Sequence, residues 1–80
     1  MHYVYLLKSL KHNWVYVGST SDLIKRFKEH NNGEVRSTKN RIPYKLIYYE
    51  AYCNIDQARD REKEVKENRS KKEDILKRFL

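Results

Sequence analysis

The start of the chain holds two runs that read as β-strands, with room between them only for a turn. Residues 2–8 (HYVYLLK) alternate and are rich in Tyr, Val and Leu, and residues 14–19 (WVYVGS) repeat the pattern. Residues 9–13 supply turn formers, and so short a connection makes the pair an antiparallel hairpin. A turn centred between Leu10 and Lys11 would set Tyr5 directly opposite Tyr16, with both side chains on one face and the hydroxyls close together. Gly18, at the end of the second run, leaves space for a ligand or another backbone to come near. Taken alone, two cross-strand tyrosines are packing residues.

The remaining segments complete an α+β pattern. Residues 22–30 read as a helix, with Ser or Thr at positions 19–21 as N-cap and Asn31, Asn32 and Gly33 as its end. Residues 34–42 carry Arg36, Lys39 and Arg41 without an apolar period and read as a basic loop. Pro43 opens a third strand over 44–52, whose centre (LIYY) reads as buried on both faces. Asn54 with Gln57 starts a helix that runs to about Asn68. Ser70 with Glu73 forms a second capping box, opening a last helix whose Ile75, Leu76, Phe79 and Leu80 face inward. The expected fold is a small three-stranded antiparallel or mixed sheet flanked by three helices. With no repeat and no linker composition, it reads as one domain over residues 1–80.

Composition bounds the function. At 39% hydrophobic residues the chain has material for one core. Its single cysteine, Cys53, rules out an intrachain disulfide, which implies a reducing compartment, the cytoplasm, and a core role for Cys53. No stretch approaches the roughly 20 apolar residues that cross a membrane, and no helix pairs a basic face with a broad aromatic one. Eighteen Lys and Arg against eleven Asp and Glu give a net charge of +7, which suits a polyanion whose counterions are released on binding.

Two helical positions carry candidate chemistry. In the helix after Asn54, Ile55, Ala58, Glu62 and Val65 fall within a sector of about 80°, so Glu62 interrupts the face that should meet the core. A carboxylate there needs a partner: a neighbouring Lys or Arg, or a metal ion. In the first helix, Arg26 and His30 lie four apart on the shoulder of the Leu23, Ile24 and Phe27 stripe, where both can reach a phosphate. Arg26 can equally pair with Asp22, one turn earlier.

The order and spacing of these features resemble a known family. Tyr3-Val4-Tyr5, ten residues, then Tyr16-Val17-Gly18 is similar to the paired signature of the GIY-YIG nucleases. The following GSTSDLIKRFKEHNNG resembles the family's Arg and His stretch, placed here on Arg26 and His30. The run from Pro43 to Glu50 is similar to its third strand, and Ala58 to Lys66 to its metal-binding helix, with the metal glutamate at Glu62. Tyr3 replaces the first signature glycine, Ser19 stands where some members carry Lys, and positions 74–77 lack the Asn of others. The likeness is to compact bacterial members, related to the N-terminal nuclease domain of the excision-repair endonuclease.

The resemblance implies hydrolysis of DNA phosphodiesters in repair, recombination or processing, by water activated with one Mg²⁺ or Mn²⁺ held at Glu62. Arg26 would clamp a non-bridging oxygen, Tyr5 or Tyr16 would accept the water's proton, and His30 would relay that proton or hold a tyrosine in place. DNA contacts would come from Lys25, Lys28, Arg36, Lys39 and Arg41, with a partner protein as a possible source of specificity and a monomer or weak dimer as the assembly. The rival reading is a binding module of the same fold without activity.

Overall fold

A computed structural model describes residues 1–78. The elements are β1 (His2–Ser9), β2 (Val15–Thr20), α1 (Leu23–Asn31), a 3-10 turn (Lys39–Arg41), β3 (Tyr44–Tyr52), α2 (Ile55–Glu67) and α3 (Arg69–Leu76). The architecture is α+β. The three strands form one antiparallel sheet in the order β2-β1-β3, so β1 is central and both of its neighbours are edges.

The central strand explains the two-sided core. Its side chains alternate across the sheet, and Val4, Tyr5, Leu6 and Leu7 are each at most 1% exposed. Val4 and Leu6 pack with Val17, Ala58, Val65 and Ile75 under α2 and α3. Tyr5 and Leu7 pack with Tyr44 on the other face, joined by Leu23 and Phe27 from α1. A half-buried ion pair fastens α2 to β3. Arg61 donates to both oxygens of Glu50, at 2.9 and 3.1 Å, and the Tyr48 and Tyr52 hydroxyls donate to the same carboxylate.

Several expectations are corrected. The hairpin turn is centred one residue later than expected, pairing Tyr5 with Gly18 and Leu7 with Tyr16. The Ser9 hydroxyl accepts from the Lys11 and His12 amides, so the chain reverses around those residues. Moving the centre by one residue moves each partner by two, and both tyrosines stay on one face. The middle of β3 is not buried on both sides: Tyr49, on the same face as Tyr5, is 54% exposed because α1 leaves an open groove there, bordered by Tyr3 and Phe27.

The caps also differ. Asp22 rather than a residue at 19–21 caps α1, accepting from the Lys25 amide. Asn54 caps α2 as expected, but Asn68 rather than Ser70 caps α3: its amide still donates to Glu64 while its side chain accepts from Lys71. One residue thus closes α2 and opens α3. The basic loop is anchored, with Val35 and Thr38 buried and a 3-10 turn at its end. Cys53 is exposed in the turn between β3 and α2, outside the core. Ile75 packs inward as expected; Phe79 and Leu80 lie outside the described residues.

Candidate active site at the open edge of the sheet

Gly18 decides where the tyrosines go. It stands opposite Tyr5, and a Cβ there would lie 2.5 Å from the Tyr5 hydroxyl and 2.8 Å from Tyr16 Cε2. The space is therefore taken by the protein's own phenols, and not kept for a ligand. The Tyr5 ring lies across β2 toward the free edge of the sheet. Tyr16 is diagonal to it rather than opposite, with ring centroids 6.2 Å apart, and is only half-buried.

His30 is fully buried beneath both tyrosines. Its Nε2 is 2.8 Å from the Tyr5 hydroxyl and its Nδ1 is 2.8 Å from Thr38 Oγ1. The Thr38 hydroxyl donates to the Val35 carbonyl, so it accepts from His30 Nδ1–H. That leaves Nε2 to accept from Tyr5. Burial, helped by the nearby Arg26 charge, pushes the His30 pKa down to about 4. Burial, with the neighbouring Tyr16, pushes Tyr5 up to about 12 despite the opposing pull of Arg26. Tyr5 thus keeps its proton and shares it with a neutral imidazole.

Arg26 sits beside the Tyr5 hydroxyl with its side chain 38% exposed, and pairs with Glu29 at 3.2 Å. Asp22 is not its partner, because that carboxylate is spent on capping α1. Arg26 lines a depression of about 280 Å³ together with Ser19, Thr20, Asp22, Lys25 and Glu29.

Glu62 comes from the other face. Ser19 pairs with Val4 in the register and so faces α2, where its hydroxyl donates to Glu62 Oε1 at 2.6 Å. The two faces meet at the free edge of β2, and Lys66 spans them there. Its amine is 2.7 Å from Glu62 Oε2 and 5.7 Å from the centre of the Tyr16 ring. Partial burial acts to raise the Glu62 pKa, but the bonds from Lys66 and Ser19 outweigh it and hold the carboxyl below its usual range. The negative charge also reaches Tyr5, adding to that group's upward shift.

The expected residues therefore fall into two sets. Tyr5, Tyr16, Arg26 and His30 cluster on the α1 face, and Glu62 meets them across the β2 edge through Ser19 and Lys66. The helical stripe that marked Glu62 holds for Ala58 and Val65, both buried, while Ile55 is 43% exposed. Lys66 was legible as a Glu–Lys pair four apart on one helix face. Thr38 and Ser19 gave no such signal. Lys25, Lys28, Arg36, Lys39 and Arg41 are all exposed. Lys25 borders the Arg26 depression, and Arg41 lies 4.4 Å over the Trp14 ring, next to Tyr16. Lys28 borders instead an apolar groove with Tyr3, Phe27 and Tyr49.

The donor set limits which ion could bind. Among the described residues no group of three or more His, Cys, Asp and Glu side chains is placed to share a metal. Glu62 offers one carboxylate at a partly exposed edge. That fits a hard divalent cation, which keeps several waters and takes further oxygens from a phosphate, and does not fit a closed zinc site.

Residues 1–74 match the family described as the GIY-YIG catalytic domain. The chain belongs to the GIY-YIG family. Its relatives include a UPF0213 protein of Clostridium perfringens, 45% identical over 67 residues that cover 82% of this chain and 71% of the relative. A UPF0213 protein of Haloquadratum walsbyi is 36% identical over 76 residues, 92% of this chain and 84% of the relative. The solution NMR structure of the UPF0213 protein BH0048 from Bacillus halodurans matches with a TM-score of 0.60 at 35% identity, covering 95% of this chain and 82% of that one. GIY-YIG domains form an endonuclease family acting on DNA, and this chain carries their catalytic fold. No helix among the described residues is long and apolar enough to cross a membrane.

Proposed function

We propose that this GIY-YIG chain is a divalent-metal-dependent DNA endonuclease that hydrolyses one phosphodiester at the open edge of β2. The supporting observation is that Arg26 and Glu62 approach that edge from opposite faces, with Tyr16 and Lys66 between them. A phosphate lying along the edge meets a fork-shaped cation on one side and a carboxylate on the other. Glu62 would hold one Mg²⁺ or Mn²⁺, which when bound polarises the phosphate and neutralises the leaving oxygen. Arg26 holds a non-bridging oxygen whose charge grows in the transition state. Tyr5 keeps its proton, fixes the site through His30 and orients Arg26. Tyr16, the more accessible phenol, receives the proton of the attacking water as it passes its own hydroxyl proton to solvent.

The biological setting is DNA repair, recombination or processing in the cytoplasm, where the exposed Cys53 thiol stays reduced. The protein acts as a monomer or weak dimer, with specificity supplied by a partner. Lys25, Lys28, Arg36, Lys39 and Arg41 supply phosphate contacts.

The second reading is a binding module without activity, and one observation favours it. Lys66 and Ser19 already satisfy both oxygens of Glu62, as in a structural ion pair. Nicking of supercoiled plasmid with and without Mn²⁺ separates the two. The nuclease reading expects metal-dependent nicking, abolished in Glu62→Gln while DNA binding stays within a few fold. It also expects Tyr16→Phe to lose about 10²-fold or more in rate, the scale of a lost general base, with the fold intact. If wild-type protein binds DNA but no metal supports nicking, the binding module is the right reading.

A further inference from the structure

A second groove opens at the other end of the same edge, and none of the assigned DNA-binding lysines and arginines lines it. It has a volume of about 450 Å³, within the range of about 300–1,000 Å³ that holds small ligands. Its apolar part is Trp14, Val15 and Leu76, all only half-buried, and its rim carries Lys66, Arg69 and Lys72. Lys72 is fixed there by donating to the Val15 carbonyl at 3.2 Å, on the unpaired side of β2. Glu73 also lines the groove and sits 3.6 Å from Arg69, a long and exposed pairing; with Lys66 already on Glu62, the rim sets Arg69 and Lys72 against one carboxylate. Arg41 adds a further cation over the Trp14 ring.

The groove adjoins the candidate site directly. Lys66 belongs to both, touching Glu62 and the Tyr16 ring, and the Trp14 ring centre is 6.1 Å from that of Tyr16. At about 3.4 Å of rise per nucleotide in one strand, that is roughly two nucleotide steps.

Phosphates alone have no use for an apolar floor. A paired base in a duplex cannot lay its face on one, because both of its faces are stacked on neighbouring base pairs. A cationic rim around aromatic and aliphatic surface is instead the arrangement that takes a single-stranded segment, phosphate on the rim and base on the floor. We infer that this groove binds an unpaired nucleotide of the strand being cut, so that the substrate is single-stranded beside the cut rather than plain duplex. The inference rests on the nuclease reading for the identity of the cut strand, but the binding it describes needs no cleavage.

Trp14 is the chain's one tryptophan, so its fluorescence reports on the groove. The full chain carrying Glu62→Gln, in EDTA, is titrated with a short oligothymidylate and with a blunt duplex of equal length. The oligothymidylate is expected to change Trp14 emission and the duplex to leave it nearly unchanged. Arg69→Ala with Lys72→Ala should weaken oligothymidylate binding by about tenfold or more. It should also flatten log K against log salt by about 0.7 for each cation removed. Thermal melting checks that the double variant folds, and Arg69→Ala alone, at an exposed position, serves if Lys72 proves needed for folding. An equal emission change with duplex, or unchanged oligothymidylate affinity in the folded variants, overturns the inference. Metal-dependent nicking without any emission response leaves the nuclease reading standing and removes this one. An emission response without nicking does the reverse.

Discussion

Among single residues, His30 shows most directly how a titratable group is put to structural use. It is buried with no room for a positive charge, since Arg26 is close, and only Glu29 opposes the trend. Its Nε2 accepts from Tyr5 and its Nδ1–H is held by Thr38. The folded-state pKa near 4 lies below the roughly 6.5 of an unfolded chain. Above pH 6.5 the group is neutral in both states and contributes no pH dependence. As pH falls below that, the unfolded state takes up a proton that the folded state refuses, and stability declines. About 2 kcal/mol should be lost between pH 7 and pH 5 from this residue. Urea denaturation across that window checks it, the decline being present in wild type and absent from His30→Asn. A flat wild-type profile would mean that the imidazole is charged or exposed, and the Tyr5–His30–Thr38 chain would then be misassigned.

Among the elements, α2 has the most demanding task, because it must bring Glu62 to the edge of a strand distant in sequence. Its register against the sheet is set by Ala58 and Val65 in the core and by Arg61 on Glu50. Burial opposes ionisation of Glu50, yet the bonds from Arg61, Tyr48 and Tyr52 win and its carboxyl pKa is lowered. Arg61→Ala leaves a half-buried carboxylate with its tyrosine donors but no counter-charge, which should cost about 1–3 kcal/mol. Arg59→Ala, two residues earlier and exposed, should change stability by less than about 0.5 kcal/mol. Chemical denaturation compares the two. Because Glu62 follows Arg61 directly, the first variant should also nick plasmid more slowly at temperatures where it remains folded. Equal stability of the two variants would show that the pair is a solvated contact and does not seat the helix.

For the whole molecule, charge governs the encounter with DNA. The net +7 is spread over α1, the Arg36–Arg41 loop and the α2–α3 groove. A polyanion is therefore attracted from several sides, and affinity for duplex should fall steeply with salt. Replacing Arg36, Lys39 and Arg41 by Ala should reduce the slope of log K against log salt by about 0.9 for each phosphate no longer neutralised. Filter binding over a range of salt concentrations measures this. An unchanged slope would leave that loop as a solvated surface and place the duplex elsewhere.

The sequence by itself determined what local periodicity can carry. The alternation of HYVYLLK and WVYVGS made a hairpin, the helical spacing set Glu62 on the inner face with Ala58 and Val65, and the spacing of the tyrosine motifs pointed to the family. Each of these signals is complete within a few turns of helix or a single strand. The tertiary structure decided which partners those side chains found. The hairpin turned one residue later because the Ser9 hydroxyl captured two turn amides, so Gly18 came to lie under Tyr5. Asp22 became a cap, which left Arg26 to Glu29. Thr38 was drawn from an apparently free loop to lie beneath His30, and Ser19 reached Glu62 across 43 residues of chain. Only the Ser19–Glu62 bond joins segments far apart in sequence; the others are choices among several nearby partners that local spacing leaves open. They are set by which groups remain unsatisfied once the sheet and helices have packed, and no repeat or spacing in the chain encodes them.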